Sequence, residues 1–306
     1  MAAVLRTVSI IGATGALGSR IASTLKAAGH TVTAVQRKDS SKSVPEGFKT
    51  VKVNYQNKEE LVSAFTGQEV VISAAPFPQL DSEKIIIEAC IAASVKRFMP
   101  SEYTTMLESP LAINLPLATE KVRVRQYLNS VLTNPTGLTT WTSINNGAFL
   151  DMALKFGVLG PNPMAKKAVF HDGGDKTIAV STLSDIATAI AKILEQDSKF
   201  EAAANQPVYI CSAAVTERRL TKMVAEVTGI DFGTPEEVSV KELIAASAEK
   251  LKQGDKSAMV SYYFQMMYGE GYKGGDFMEF NWNERLGLRF MSEQELKDTV
   301  AQILNN

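Results

Sequence analysis

The 306-residue chain is poor in the residue types that build metal clusters and disulfide frameworks. It has only two cysteines, Cys90 and Cys211, and only two histidines, His30 and His171. Two isolated thiols do not make a disulfide framework, and they fit a reducing compartment. Because no His-Glu-x-x-His or Cys-x-x-Cys motif occurs, we expect no metal site. The Gly-x-Ser-x-Gly signature of triad hydrolases is missing as well.

Charge of one sign and long apolar runs are also lacking. The chain has 32 Lys and Arg against 33 Asp and Glu, a formal net charge of -1, so it offers no strong basic field for nucleic acid. No apolar run is long enough to span a bilayer, and the first residues show no secretory signal. We therefore predict a cytoplasmic protein, a monomer or homodimer, that takes a small-molecule substrate without nucleic acid or membrane partners.

Short strand patterns alternate with helical patterns through the first 150 residues. The strand patterns cover 8–11, 31–35, 51–53, 70–72, 97–99 and 138–143, and the helical ones include 58–65, 82–93 and 119–132. Repeated β–α–β order predicts a parallel sheet with helices on both faces. We therefore predict the α/β class, with a Rossmann-type, doubly wound parallel sheet and a smaller, mainly helical C-terminal part.

The pattern changes after about residue 150. Strand patterns at 168–170, 177–180 and 208–211 are mixed with helical patterns at 183–194 and 217–228, and the C-terminal third is mostly helical. We predict an NADP-binding Rossmann domain at 1–155. Residues 156–306 form the predicted substrate-binding part, which returns strands to the sheet and packs on its carboxyl edge, where ligands bind in such folds.

A glycine-rich turn connects the first strand to the first helix. Residues 12–18 read Gly-Ala-Thr-Gly-Ala-Leu-Gly, with glycines at the spacing G-x-x-G-x-x-G. Gly12 permits a tight turn, Gly15 leaves room for a pyrophosphate, and Gly18 lets the helix pack close to the strand. The helix start then faces the phosphates with free N–H groups. The predicted phosphate site comprises Gly12, Thr14, Gly15, Ala16, Leu17 and Gly18; an ordinary turn of small residues is the alternative.

The end of the second strand indicates which dinucleotide binds. An NAD site usually has an acid about 20 residues after the glycines, whereas this strand runs into Arg37 and Lys38. The arginine fork suits a phosphate, and lysine adds a point charge. We predict NADPH, with Arg37 as the main ligand of the 2′-phosphate and with help from Lys38 and Lys42. A solvated charge pair at a strand end is the alternative.

Three further segments, with the glycine turn and Arg37, resemble the NmrA-like and isoflavone-reductase-like family of atypical short-chain dehydrogenases. They are residues 95–103 (Val-Lys-Arg-Phe-Met-Pro-Ser-Glu-Tyr), Lys121-x-x-Val124-Arg125, and residues 143–149 (Ser-Ile-Asn-Asn-Gly-Ala-Phe). The resemblance covers most of the chain and is strongest up to residue 150. It implies either NADPH-dependent reduction of isoflavones, lignans and related phenolic ethers, or dinucleotide sensing without chemistry.

The resemblance also implies site residues. It implies a catalytic lysine at Lys121, and a nicotinamide lined by Ala75, Pro76 and Phe77 after the fourth strand and by Asn145 and Asn146 after the sixth. The chain departs from the plant enzymes where Thr104 and Thr105 replace a glycine, and where Pro76 and Phe77 lie near a common Gly-His. Both departures lie on the expected substrate side, which favours a distinct reductase branch.

Lys121 is a candidate on physical grounds as well, because none of the eight tyrosines begins a Tyr-x-x-x-Lys motif. It lies on the apolar stripe of its predicted helix with Val124 and Leu128, where desolvation, the helix N-terminus and Arg125 favour the neutral amine. It could exchange a proton with the reacting oxygen, or stay charged and steady developing charge. A snorkelling surface lysine is the alternative. Tyr103 is a second candidate proton donor, unless it only covers the edge of the core.

The segment 262–275 is aromatic at first and then rich in glycine. It could be a substrate wall followed by a lid, or a core helix followed by a surface turn. The leading function is hydride transfer from NADPH to an electron-poor carbon of an enone or aryl ether. A non-catalytic NADP(H) sensor that binds a partner protein is the second possibility. A tailoring enzyme acting on a fungal or bacterial metabolite is the third.

Overall fold

Strands and helices alternate through the first 145 residues of the computed structural model, which describes residues 4–44, 46–76, 78–132, 137–272 and 274–305. The elements in this half are β1 (Thr7–Ile11), α1 (Ala16–Ala27), β2 (Thr31–Arg37), β3 (Lys49–Val53), α2 (Lys58–Phe65), β4 (Val70–Ser73), α3 (Leu80–Ala92), β5 (Arg97–Met99), α4 (Thr119–Leu132) and β6 (Thr140–Asn145). A short 3₁₀ turn, Ala112–Asn114, precedes α4.

Shorter strands and most of the remaining helices make up the second half. They are β7 (Ala148–Phe149), α5 (Leu150–Phe156), β8 (Pro161–Asn162), β9 (Lys167–His171), β10 (Ile178–Ser181), α6 (Leu183–Leu194), α7 (Asp197–Ala202), β11 (Gln206–Tyr209), β12 (Ala213–Val215), α8 (Glu217–Thr228), β13 (Glu236–Val238), α9 (Val240–Lys252), α10 (Tyr262–Tyr268), α11 (Asn283–Leu286) and α12 (Glu293–Asn305). A second 3₁₀ turn, Lys256–Ser261, leads into α10.

The main sheet has seven parallel strands in the order β3-β2-β1-β4-β5-β6-β11. This sheet confirms the predicted α/β class. The chain builds outwards from β1 in one direction through β2 and β3, and in the other through β4. The carboxyl ends of β1 and β4 therefore adjoin at a topological switch point, which is where open α/β sheets bind ligands.

Apolar side chains cover both faces of this sheet, as a parallel sheet between helices requires. Ile10 of β1 packs in the cluster that includes residues of α1 and α6, whereas its neighbour Ile11 packs in the cluster of α2, α3 and α4. All four residues of β4 are buried. Successive side chains of β1 therefore pack against helices on opposite faces of the sheet.

The later part of the chain contributes to the helical layer that contains α1 and to a second apolar core. Helix α6 packs with α1, and β11 pairs with the edge of β6. Two three-stranded sheets, β12-β10-β7 and β13-β9-β8, lie outside the main sheet, and a separate apolar cluster joins α5, α8 and α12. The proposed domain boundary at residue 155 stays a prediction.

Two features are missing from the residues that the structure describes. Among them, no helix combines the length and apolarity needed to cross a membrane. Within the same ranges, no three His, Cys, Asp or Glu side chains converge on a point where they could hold a metal ion.

Candidate functional site

The glycine turn lies at the switch point, and Gly12 is dictated by the protein's own backbone. Its φ is +82°, in the left-handed region that favours glycine. A Cβ at this position would lie 2.6 Å from the carbonyl oxygen of Ala74, which follows β4. The turn therefore depends on close contact between the ends of β1 and β4.

The other two glycines of the turn differ from each other in what they contact. A Cβ on Gly18 would lie 2.1 Å from the carbonyl oxygen of Gly12, so close packing of α1 on β1 requires glycine there. A Cβ on Gly15 would meet only the Gly12 carbonyl oxygen, at 3.4 Å, an ordinary contact. The protein's own packing does not require a glycine at position 15. Close approach of a ligand's phosphate would require one.

The start of α1 has the character of an anion site. The helix begins at Ala16 after Gly15, no described side chain caps its first amides, and its first turn has no acidic residue. The first amides of a helix have no partner within the helix, and the helix dipole favours negative charge there. Thr14 is half-buried and Ala16 is exposed, so the turn is accessible from outside.

Three basic residues were predicted to bind a 2′-phosphate, and the structure distinguishes them. The side chain of Arg37, the last residue of β2, is 64% exposed and, among the described residues, forms a 3.5 Å ion pair with exposed Asp39. Such surface pairs contribute little energy. Lys38 donates to Glu60 at 2.6 Å, and Lys42 is exposed. A 2′-phosphate would have to displace Glu60 from Lys38. At Arg37 it would meet a weaker competitor, because the ion pair with Asp39 is longer and exposed.

The loop after β4 lies against the glycine turn. The amide of Ala74 donates to the carbonyl oxygen of Ile11 at 2.9 Å, which extends the pairing of β1 and β4. Ala75 is half-buried, and its carbonyl oxygen accepts a hydrogen bond from the hydroxyl of Ser101 at 2.6 Å. Pro76 is exposed, whereas Phe77 lies outside the described residues.

The two asparagines at the end of β6 are both buried, but their amides are used differently. Nδ2 of Asn145 donates to the carbonyl oxygen of Thr105 at 2.9 Å, and its Oδ1 accepts from Ser143 at 3.1 Å. Nδ2 of Asn146 donates to the carbonyl oxygen of Gly147, and no described residue donates to its Oδ1. Of the two, Asn146 has the side chain with an open acceptor.

Lys121 lies in the first turn of α4 and is half-buried. Its Nζ donates to the backbone carbonyl oxygen of Glu102 at 2.6 Å. Glu102 belongs to the loop that follows β5 at the carboxyl edge of the sheet. The amine therefore faces this loop, and its functional role stays a prediction.

Arg125, one turn after Lys121, differs from the expectation. Its guanidinium pairs with the carboxylates of Glu102 and Glu108, and Nη2 lies 3.4 Å from Oδ1 of Asn145. Burial lowers the pKa of Arg125, but the two carboxylates outweigh burial and raise the pKa above its usual range. The sequence placed the positive charge of Arg125 beside Lys121, and the structure adds two carboxylates that offset this charge.

Tyr103 lies in the apolar core and is almost fully buried. It is 6% exposed, packs in the cluster that contains Met99 and Ile144, and has a φ of +27°. Burial raises the pKa of its hydroxyl well above the usual range, and no described residue hydrogen-bonds that hydroxyl. These features fit a tyrosine that covers the core edge better than a proton donor.

Sequence reasoning missed a buried acid, Glu83 of α3. Its Oε1 accepts from the hydroxyl of Ser73 at 3.4 Å, and its Oε2 has no partner among the described residues. Burial raises its pKa to about 7. The spacing i, i+3, i+4, i+7 of Glu83, Ile86, Ile87 and Cys90 could have identified it, since it places the carboxyl on the buried face.

A cavity of about 950 Å³ lies between the loop after β5 and the segment 267–280. Met106 and Glu108 line one side, and Met267, Gly269 and Phe280 belong to the other. Met267 of the aromatic stretch and Gly269, Gly271 and Gly275 of the glycine-rich stretch are among its lining residues. The substrate wall stays a prediction.

Close packing explains three glycines of this segment. A Cβ on Gly269, Gly274 or Gly275 would come within 2.5 Å, 2.3 Å or 2.4 Å of a carbonyl oxygen of α10. The carbonyl oxygen of Gly275 also accepts from the amide of Ala179 at 2.6 Å, which ties the segment to β10. Lid movement stays a prediction.

The parallel sheet and the glycine turn at its switch point define a protein of the Rossmann class. The model of the NmrA-like family matches residues 5–233. The oxidoreductase aprR of Aspergillus flavus is 27% identical over 303 residues, with 97% of this chain and 98% of the relative covered. The isoflavone reductase homolog IRL of Zea mays is 30% identical over 268 residues, covering 79% of this chain and 82% of the relative.

Solved structures agree on the fold. The structure described as AtPrR2 with NADP+ and (+)pinoresinol has a TM-score of 0.74 at 18% identity, covering 98% of this chain and 99% of the other. The quinone oxidoreductase QOR2 of Escherichia coli, complexed with NADPH, has a TM-score of 0.68 at 20% identity, covering 97% and 100%. The chain belongs to the NmrA-like family. With relatives named as oxidoreductases along its length, it is an enzyme of the reductase type.

Proposed function

We propose that this protein is an NADPH-dependent reductase that transfers hydride to a small aromatic or conjugated carbonyl or ether substrate. The observation that carries the proposal is the uncapped, acid-free start of α1 at the switch point, with the exposed guanidinium of Arg37 at the end of the adjacent strand β2. The relatives whose structures hold NADP+ or NADPH support the choice of cofactor.

The residues present fit such a dinucleotide. Gly15 leaves space that the protein does not fill, and the buried Oδ1 of Asn146 lacks a donor among the described residues. In the proposal, the amides at Thr14, Gly15, Ala16 and Leu17 hold the pyrophosphate, between Gly12 and Gly18. Arg37 holds the 2′-phosphate, with Lys38 and Lys42 in lesser roles. Ala75, Pro76, Asn145 and Asn146 line the nicotinamide end.

The bound dinucleotide supplies the hydride, and Lys121 handles the charge that develops on the substrate. Its amine is held by the carbonyl oxygen of Glu102, so it is directed towards the loop at the carboxyl edge. From there it could transfer a proton or stabilise an oxyanion. We propose Lys121 in place of Tyr103, because the tyrosine hydroxyl lies in the core.

The cofactor claim is tested by the Arg37→Asp variant. A guanidinium that binds the 2′-phosphate should give the unmodified protein a strong preference for NADPH over NADH, and the carboxylate should abolish that preference. Dissociation constants for both dinucleotides, measured by calorimetry, check this. Arg289→Asp makes the same charge change at an exposed C-terminal position and should leave both constants unchanged. Equal affinities in the unmodified protein contradict the proposal.

The catalytic claim is tested by Lys121→Ala, with NADPH oxidation screened against enones, quinones, aldehydes and phenolic ethers. Turnover should fall by about 10²-fold or more, as expected for loss of an acid–base group, while NADPH affinity changes little. Unchanged turnover would remove Lys121 from the mechanism. Tight NADPH binding with no oxidation of any compound, and a co-purifying partner protein, would favour a sensor. Cytoplasmic location and a monomeric or dimeric state remain predictions.

A further inference from the structure

The charges that line the cavity beside the loop after β5 are mainly negative. Glu108, Asp276 and Glu279 contribute carboxylates, and Lys176 is the basic residue of the lining. The amine of Lys176 is already engaged, since it donates to the carbonyl oxygen of Tyr268 at 2.5 Å. Three carboxylates against one ammonium give the described lining a net negative charge, which favours a neutral or cationic molecule over an anion.

Among these acids, Glu108 is held in place by donors from three directions. The hydroxyl of Tyr209 and the guanidinium of Arg125 both donate to its carboxylate, and the amide of Leu107 donates to Oε2 at 3.1 Å. Tyr209 and Arg125 are themselves largely buried, at 6% exposure for Tyr209 and 11% for the arginine side chain. The side chain of Glu108 nevertheless stays 42% exposed, so a fixed carboxylate faces the cavity with capacity for a further donor.

The wall around Glu108 is apolar and partly aromatic. Met106, Pro110 and Met267 line the cavity, and Phe280 is 41% exposed there. The ring of Tyr209 meets that of Phe280 edge-on, with centroids 5.0 Å apart. An apolar wall with one fixed polar group is the usual form of a small-molecule site, in which the polar group sets orientation.

Glu108 is also connected to the proposed catalytic lysine. Arg125 pairs with both Glu108 and Glu102, and the carbonyl oxygen of Glu102 accepts from Lys121. Lys121 and Arg125 are one turn apart on α4. A substrate held by Glu108 would therefore lie next to the same loop that positions the lysine.

We propose that Glu108 determines substrate specificity in this cavity, by accepting a hydrogen bond from a hydroxyl or ammonium group of an aromatic substrate and by disfavouring carboxylates. Tyr209 and Arg125 act as positioning residues for its carboxylate. The inference rests on the proposed reductase function for the identity of the reaction, but the recognition step can be measured by binding alone.

Three aryl enones serve as probes: 4-phenylbut-3-en-2-one with a para-hydroxyl, a para-methoxy or a para-carboxylate group. They share the ring and the reducible enone and differ in the para group. The hydroxyl can donate a hydrogen bond, the methoxy group cannot, and the carboxylate carries a negative charge. Their dissociation constants are measured by calorimetry on protein saturated with NADP+, and their KM values by NADPH oxidation. A charge-assisted hydrogen bond predicts that the hydroxyl compound binds about tenfold more tightly than the methoxy compound. The carboxylate should bind most weakly.

The Glu108→Gln variant should reduce two differences in affinity to roughly threefold or less, because the amide has lost the negative charge. They are the preference for the hydroxyl over the methoxy compound and the discrimination against the carboxylate. Tyr209→Phe keeps the ring but removes one donor, and should weaken the hydroxyl preference without abolishing it. Glu284→Gln, at an exposed acid of α11 outside the lining, should keep the preferences of the unmodified protein.

Two results would overturn the inference: unchanged preferences in Glu108→Gln, or no binding of any of the three probes. A hydroxyl preference that depends on Glu108, together with no oxidation of NADPH, would uphold the recognition role while contradicting the reductase. Failure of the Glu108 inference and failure of the reductase proposal therefore give different results.

Discussion

Replacing Glu83 with glutamine should stabilise the protein, and by more at pH 8 than at pH 5. The carboxyl of Glu83 is 2% exposed, and Ser73 is its hydrogen-bond partner, at 3.4 Å. Burial disfavours the charged form and raises the pKa from 4.5 to about 7. The folded protein therefore holds a proton on this group over a range of pH where the unfolded chain has released it.

The sign and size of the effect on stability follow from this difference in protonation between the folded and unfolded states. Stability falls as pH rises wherever the folded state binds more protons than the unfolded state, here between the unfolded pKa of 4.5 and the folded pKa of about 7. Above pH 7 both states are ionised, and the loss stays constant. At about 1.4 kcal/mol for each pH unit of difference, Glu83 costs the folded protein about 3 kcal/mol at pH 8 relative to pH 4.

The assay is urea unfolding at several pH values between 5 and 8, for the unmodified protein and for Glu83→Gln. Because glutamine does not ionise, the stability difference between the two proteins should grow by roughly 2–3 kcal/mol across this range. Glu59→Gln, which changes an exposed acid of the neighbouring helix α2, should show no such growth. A difference for Glu83→Gln that is the same at every pH would refute the argument that burial keeps this carboxyl protonated.

Three further predictions concern the cofactor turn and its surroundings. Gly15→Ala should fold normally but weaken NADPH binding by tenfold or more in calorimetry, whereas Gly18→Ala should lower the thermal midpoint, because its Cβ would meet the Gly12 carbonyl oxygen. Arg37→Ala should weaken NADPH binding more than Lys38→Ala, because Lys38 is paired with Glu60; a larger loss for Lys38 would reverse their assigned roles. Tyr103→Phe should retain turnover and gain up to about 1 kcal/mol in urea unfolding, since its buried hydroxyl lacks a partner among the described residues; lost turnover would restore Tyr103 as a proton donor.

The turn and the strand end next to it could be predicted because their geometry is local. Glycines at fixed spacing between a strand and a helix adopt the same turn wherever β–α–β order makes the sheet parallel. Arg37 follows from the same register, as the last residue of the strand that pairs with β1. The helices at 58–65, 119–132, 183–194 and 217–228 were predicted with the bounds that the structure shows, and the apolar periodicity is strongest at 183–194 and 217–228.

The network around Arg125 could not be predicted in this way. Its partners Glu102 and Glu108 lie 23 and 17 residues away in the sequence, and Glu108 meets Tyr209 across 101 residues. No periodicity links such positions. The pairing depends on how the loop after β5 folds over α4 and the end of β11, and that same fold places the side chain of Asn145 within reach of Arg125.

The sequence by itself determined the class of sheet, the glycine turn and the basic residue beside it, since these depend on backbone conformation and on neighbours along the chain. Only the tertiary structure decided that two carboxylates offset the charge of Arg125, that Tyr103 is buried and that no described charged group pairs with Glu83. The reason is that charge and burial depend on groups brought together from distant parts of the chain, and a buried charge responds to those groups far more strongly than to its neighbours in sequence.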